Sequence, residues 1–293
     1  MELSTLINIV YLLSAVTFIL GFKLMSHPET AKNGNLISGV GMAAAIIVTL
    51  MDLHIERYDY ILTGIVVGAA IGLRLARKTP DQKMPQVVGL LNGFGGLASL
   101  LVAWAEFHAH PEGQGFLGGF VLWLTAIFGA LTFSGSLLVW ARLEEKFVSG
   151  KSVVYNGQQL VSAAIFLAVL LAGLMFSIDT VAQDAYRYFA IFSVLALVLG
   201  VVYTLPMGNA DMPVVICLLN SYSGVAACAS GFIIQNNLLI AAGALVGASG
   251  IALCMEMSKT LGRPFSYFFL GAFVARPTGI SMDLNRQKDA TDA

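Results

Sequence analysis

Charge is what this sequence has least of. Asp, Glu, Lys and Arg make up 11% of its 293 residues, against about 25% in soluble domains. With 57% hydrophobic residues and a mean hydropathy of +0.81, the chain has too few polar groups to cover a water-facing surface. That leaves the membrane class, with a lipid bilayer as solvent. The formal net charge is −1, so no basic surplus points to a nucleic acid. Cysteine is scarce as well. Cys217, Cys228 and Cys254 lie in apolar runs, without His or Asp at metal-ligand spacing, and read as small core residues. No metal site is expected. The four histidines, His27, His54, His108 and His110, fall in or near loops. The N-terminus, MELSTLINIVYLL, lacks a basic n-region and an A-x-A site, and reads as a retained first span. There is no Walker A motif and no nucleophile elbow. GVGMAA at 39–44 sits inside an apolar span with no preceding strand, so the phosphate-cradling geometry of a dinucleotide fingerprint is missing.

What is present is a series of long apolar runs. A helix needs about 20 apolar residues to cross a ~30 Å hydrocarbon core. Nine stretches qualify: 4–22, 36–53, 58–76, 84–105, 115–140, 160–178, 187–205, 212–234 and 237–258. None alternates with period two, which favours helices over barrel strands. The expected fold is therefore all-α, a polytopic bundle of about nine transmembrane helices. With the N-terminus outside and the C-terminus cytoplasmic, all of the 16 Lys and Arg except Arg57 and Arg187 fall in inner loops or the C-terminal tail, as the positive-inside rule requires. Gly64, Gly68 and Gly72 recur every four residues in the third span, and Gly243 and Gly247 in the ninth. Small residues at that spacing let helix backbones approach closely in lipid, and packing within the bundle accounts for them.

One phrase occurs twice. Residues 84–99, MPQVVGLLNGFGGLAS, and 212–227, MPVVICLLNSYSGVAA, agree at eight of sixteen positions. Each copy is followed by a span containing Gly-Ala-Leu, at 129–131 and 243–245. Helices 4–5 thus recur as helices 8–9. An even number of spans separates the copies, which makes this a parallel repeat. Asn92 lies nine residues past Lys83, and Asn220 nine past Asp211, so each is roughly 13 Å along its helix. Ser136, in TFSGS on the antiparallel fifth span, is six residues before Arg142, about 9 Å from the same surface. Three polar side chains from three helices are thereby expected at one level, in the cytoplasmic half of the membrane. Ser221, Tyr222, Ser223 and Gly224 extend the second copy, with Ser223 and Gly224 on the face of Asn220. An amide in hydrocarbon is costly unless hydrogen-bonded. Two readings stay open: interhelical bonding between Asn92, Asn220 and their neighbours, or the lining of a hydrated path for a proton or polar solute. Asp211, just before Met212-Pro213, is either a helix cap or a carboxylate at the mouth of that path. Glu256 and Lys259 read as a surface ion pair.

The last thirty residues change character. PFSYFFLGAFVA is too short to span and is expected at the membrane interface. RPTGISMDLNRQKDATDA is polar and reads as a linker. The expected organisation is 1–263 as a membrane domain and 264–293 as a linker or tail.

MPVVICLLNSYSGVAACASGF, followed by NLLIAAGALVGASGIAL, resembles the membrane part of the beta subunit of proton-translocating NAD(P) transhydrogenases. So do TFSGSLL, GNADMP and STLINIVYLLSAVTFILGFKLMS, and the resemblance runs from residue 1 to about 263. It implies nine membrane helices with a cytoplasmic C-terminus. It implies inward proton flow coupled to hydride transfer from NADH to NADP⁺. It also implies an alpha subunit that contributes a membrane helix segment and an NAD(H)-binding domain, a dimer of protomers, and a bacterial inner membrane. NADP(H) would bind a further domain beyond the tail, so no cofactor is expected in this chain, which alone would not transfer hydride. The family's asparagine, serine and acid fall on Asn220, Ser136 and Asp211. Its frequent histidine within the LLNGFGG block is replaced here by Asn92, so the titrating group is expected elsewhere, as a His on a partner alpha-subunit helix facing Asn92. Parallel repeats and midmembrane amides also suit a secondary transporter or channel for a small polar solute, or an assembly subunit of a respiratory complex.

Overall fold

The computed structural model describes residues 3–51, 57–111, 115–145, 152–178 and 182–270. Among them the secondary structure is helical: α1 (Leu3–Met25), α2 (Ala31–Thr49), α3 (Tyr58–Lys78), α4 (Met84–Ala109), α5 (Gly115–Glu144), α6 (Gln158–Ile178), α7 (Ala182–Thr204), α8 (Met212–Ile233), α9 (Asn237–Thr260) and the short α10 (Phe265–Leu270). The first nine are long and apolar enough to cross a membrane. Each expected span meets one helix. The largest displacement is in the second, expected over 36–53 and found at Ala31–Thr49. Hydropathy locates the apolar stretch, whereas the helix starts in the polar turn before it. His54, the Glu112–Gly113 end of EFHAHPEG and the polar tail from 271 onward lie outside the described residues.

Local sequence explains the ends that matter for the site. α4 and α8 both carry proline at the second position, Pro85 and Pro213, where the missing N–H has no helical partner to lose. α9 begins at Asn236, whose side chain accepts from the Leu239 N–H at 3.0 Å, a standard N-cap bond. Gln235, at φ 52°, makes the tight turn between α8 and α9.

α5 is the axis of the bundle. Its 30 residues extend about 45 Å, and it packs against α4, α6, α7 and α8. Two antiparallel pairs flank the site, α4 with α5 and α8 with α9, and both cross at glycine. A Cβ on Gly96 would stand 2.7 Å from the Gly129 carbonyl oxygen. A Cβ on Gly224 would stand 2.4 Å from the Gly247 nitrogen, and one on Gly243 2.3 Å from the Cys228 nitrogen. The backbones touch there, as the small-residue spacing of the ninth span implies.

One expectation needs correction. Gly64, Gly68 and Gly72 on α3 have nothing within 4 Å of where a Cβ would stand, and no described α3 side chain is buried. Packing within this bundle does not account for that stripe. PFSYFFLGAFVA, expected at the membrane interface, is described as far as Leu270. Its α10 portion docks against α8 and α9, because Phe268 is fully buried and its carbonyl accepts from Tyr203 Oη on α7.

The crossings predict opposite outcomes at two glycines. Gly224→Ala forces α8 from α9 and is expected to cost about 1–3 kcal/mol, the usual penalty for overpacking. Gly64→Ala is expected to stay within about 0.5 kcal/mol. Thermal unfolding of the purified chain in detergent compares the two.

Candidate functional site

The α4–α5 crossing sets the site. One turn from Gly96, Asn92 projects from α4 towards α5 and α8. Its Nδ2 donates to Ser136 Oγ of α5 at 3.2 Å. Its Oδ1 accepts from Ser223 Oγ of α8 at 2.7 Å. One amide therefore joins three helices, with a donor at one end and an acceptor at the other. Gly93 makes room: a Cβ there would lie 3.1 Å from the Ser136 Cβ. Ser136 is buried, whereas Asn92 and Ser223 are half-buried. Nearby, the buried Thr132 Oγ1 of α5 lies 3.5 Å from the Leu219 carbonyl oxygen of α8, at the long limit for donation.

The NSYSG segment turns its residues in different directions. Ser223 Oγ also lies 2.8 Å from the Asn220 carbonyl oxygen, so its one hydroxyl proton is shared between that oxygen and Asn92 Oδ1, and Asn220 meets the cluster through its backbone. Its side-chain amide makes no hydrogen bond among the described residues, and is half-buried. The expected meeting of Asn92, Asn220 and Ser136 side chains is thus corrected to Asn92, Ser136 and Ser223. The reason is helical: Ser223 is 300° around α8 from Asn220, enough for one to face α4 squarely while the other does not. Ser221 is fully buried against α9, where a Cβ on Gly250 would stand 2.2 Å from its Oγ. Tyr222 is buried against α5 and α7, its ring 5.4 Å from Phe128 and 6.3 Å from Tyr203. Gly224 serves the α8–α9 crossing. Ser221, Tyr222 and Gly224 thus meet α9, α5 and α7 rather than Asn92.

Asp211 stands apart from the cluster, at the foot of α8. Its side chain does not cap that helix. It is 5% exposed and pairs with Arg263 Nη1 at 2.8 Å, with the Tyr267 hydroxyl at 3.5 Å and the Gly208 N–H at 3.4 Å. The Arg263 guanidinium lies 5.0 Å from the Tyr267 ring centroid. Asp211 thereby ties the foot of α8 to the segment that leaves α9. Glu256 and Lys259 form the expected exposed pair, at 2.9 Å.

Sequence reasoning missed Arg142. Counted as a loop cation, it is instead fully buried in the last turn of α5. It donates to the carbonyls of Thr204, Leu205 and Met207. Its position six residues past Ser136, still within an apolar stretch, was the available signal. Arg263 and Tyr267 were missed because their carboxylate partner is more than fifty residues away in the chain. No group of three or more His, Cys, Asp or Glu among the described residues is arranged to hold a metal.

A family model described as "NAD(P) transhydrogenase beta subunit" matches residues 7–293. The NAD(P) transhydrogenase subunit beta of Rhodospirillum rubrum is 37% identical over 271 residues, covering 90% of this chain and 57% of that protein. The corresponding subunit from a named strain of the same organism gives the same figures. The chain thus spans little more than half the length of the curated relatives it matches.

Asp211→Asn removes one charge from the pair with Arg263 and leaves the shape. Losing a charge-assisted hydrogen bond, about 1.5–3 kcal/mol, is expected to speed amide exchange across 263–270 by about 10- to 100-fold. Exchange at the α4–α5 crossing is expected to stay unchanged. Hydrogen-exchange mass spectrometry reads both segments in one experiment.

Proposed function

The chain belongs to the NAD(P) transhydrogenase beta subunit family, and on that premise we propose that it forms the membrane path for protons in the assembled enzyme. Inward proton flow through it drives hydride transfer from NADH to NADP⁺. The hydride chemistry takes place on soluble domains, with NAD(H) on an alpha subunit and NADP(H) on a domain beyond residues 264–293. This stretch of chain alone transfers no hydride. The partners are alpha subunits, which supply a membrane helix as well as the NAD(H) domain, in a dimer of protomers within a bacterial inner membrane. The distribution of Lys and Arg supports an outside N-terminus and a cytoplasmic C-terminus.

The parallel repeat is supported by the crossings. Gly96 meets Gly129 as Gly224 meets Gly243, at matching places in the two copies of the repeated phrase. Where Gly93 admits Ser136 in the first pair, Gly250 admits Ser221 in the second. Small and hydroxyl residues have exchanged sides. Ser136 is thereby left facing Asn92, and Ser221 faces α9.

A single observation carries the reading: the half-buried Asn92 amide accepts from Ser223 and donates to Ser136. Serine and asparagine do not titrate near neutral pH, so they carry no proton themselves. Hydrogen bonds that run in one sense polarise one another and orient whatever group delivers the proton. A histidine on the partner's helix, with an unperturbed pKa near 6.5, is suited to be that group. Asp211 and Arg263 sit between the path and the segment leading to the NADP(H) domain. A protonation change at the cluster that moves α8 therefore reaches that segment through one ion pair.

Replacing Asn92 in the assembled enzyme tests the reading. Asn92→Ala is expected to lower proton-coupled turnover by about tenfold, the effect of ~1.4 kcal/mol of lost hydrogen bonding at the barrier. Asn92→His supplies a titrating group and is expected to keep turnover while giving it a pH dependence near neutrality. Full proton-coupled turnover in Asn92→Ala removes the amide from the path.

A further inference from the structure

α7 ends without a glycine to close it. Its last helical residue is Thr204, followed by Leu205 and Pro206, whereas helices commonly finish on a glycine in the left-handed conformation. The last carbonyls of a helix have no partner inside it. Here Arg142 reaches them from another helix. Its Nη1 donates to the carbonyls of Thr204 at 3.3 Å and Met207 at 2.7 Å, and its Nη2 to that of Leu205 at 2.9 Å. A guanidinium suits this place, because its planar fork reaches several oxygens and its charge lies at the negative end of the α7 dipole.

These bonds hold more than α7. Met207, itself buried, leads through the 3-10 turn Asn209–Asp211 into α8. Asn209 Nδ2 adds a bond to Glu145 Oε1 at 3.0 Å. On the other side of the same α5 turn, Lys83 pairs with Glu144 at 3.0 Å, and Gln86 Nε2 donates to the Leu143 carbonyl at 2.9 Å. One turn of α5 is therefore tied to the feet of both α4 and α8, the helices that carry Asn92 and Ser223. Ser136 lies six residues along α5, about 9 Å away.

We propose that Arg142 is a positioning residue for the proton path. It touches none of the three polar groups and acts through the foot of α8, which it holds against α5 so that Ser223 stays level with Asn92 and Ser136. The tolerance is narrow. A slip of α8 by one residue moves its side chains by about 1.5 Å along the axis and 100° around it, enough to break the 2.7 Å bond from Ser223 to Asn92. The consequence for turnover rests on the proposed function.

The test uses the complete enzyme, beta subunit with its alpha subunit, reconstituted in vesicles as wild type, R142K and R142Q. Lysine keeps the charge but cannot spread donors over three carbonyls; glutamine keeps a donor and loses the charge. Turnover per assembled enzyme and its solvent deuterium isotope effect are measured beside the amount assembled. R142Q is expected to turn over about tenfold more slowly per assembled enzyme, as a small misplacement far from the chemistry can cause. Its isotope effect is expected to rise as proton passage becomes the slow step, with R142K in between. Unchanged turnover and isotope effect in R142Q, whatever the amount assembled, overturn the inference, and so does failure of both variants to assemble, since either result assigns Arg142 to folding alone. A wild-type enzyme that moves no protons overturns the proposed function and this inference together. A wild type that does move them, beside unaffected variants, overturns the inference alone.

Discussion

Asn92 reaches two other helices only because α4 lies directly on α5. An asparagine side chain is short, and helix axes packed through leucine-sized side chains stand about 8–10 Å apart. Glycine removes that spacing. Gly96 rests against Gly129, and Gly93 leaves Ser136 just enough room. Hydroxyl and amide then meet at 3.2 Å. In lipid this contact has no hydrophobic driving force between helices, so close van der Waals packing and hydrogen bonds must hold it. The same glycines that bring the backbones together therefore place the polar groups where they bond.

α5 turns that local contact into a site. It carries Ser136 in its middle and Arg142 near its end, and it is the helix against which α4, α7 and α8 are all packed. Polar anchoring is concentrated at its end, where Arg142 and Glu145 bind the stretch 204–209 before α8 and Leu143 and Glu144 bind the foot of α4. The opposite half of the bundle is held differently. There Phe107 stacks on Phe189 at 5.3 Å and meets Phe176 edge-on at 5.1 Å, an apolar cluster with little directional demand. Hydrogen bonds fix register more sharply than apolar contacts do, so the end nearest the polar cluster is the end whose register is fixed.

How much of this the sequence disclosed follows from the range of each signal. The helices were legible because twenty apolar residues in a row admit few other structures, and their boundaries shifted where polar residues begin or end a helix, as at Lys32 and Glu144. The level shared by Asn92 and Ser136 was legible from counting along two helices. The rotation of α8 was not: whether Asn220 or Ser223 faces α4 depends on which side of α8 its glycines occupy, and that is decided by α9. Arg142 was misplaced because a positive charge near a span's end reads as a loop cation until its acceptors are known, and those carbonyls leave no trace in sequence. The glycine stripe of α3 was read as packing within this bundle, and no described part of the chain lies against it.

The hydrogen-bond inventory of the cluster argues for what it can do. An asparagine amide has two donors and an oxygen that accepts twice. Asn92 uses one donor on Ser136 and one acceptor site on Ser223, and the Asn220 amide binds neither serine. Unused capacity of this kind is expensive in hydrocarbon, and residues serving only to join helices would gain by closing their bonds on one another. Buried hydroxyls nearby close on backbone carbonyls instead, Ser221 and Ser230 on their own helix and Thr132 on the Leu219 carbonyl of α8. Asn92 closes on two serines of other helices, and the Asn220 amide bonds no described residue. On the function proposed above, that remaining capacity lets Asn92 and Asn220 serve a group beyond their own chain, a property a proton path needs of residues that cannot titrate.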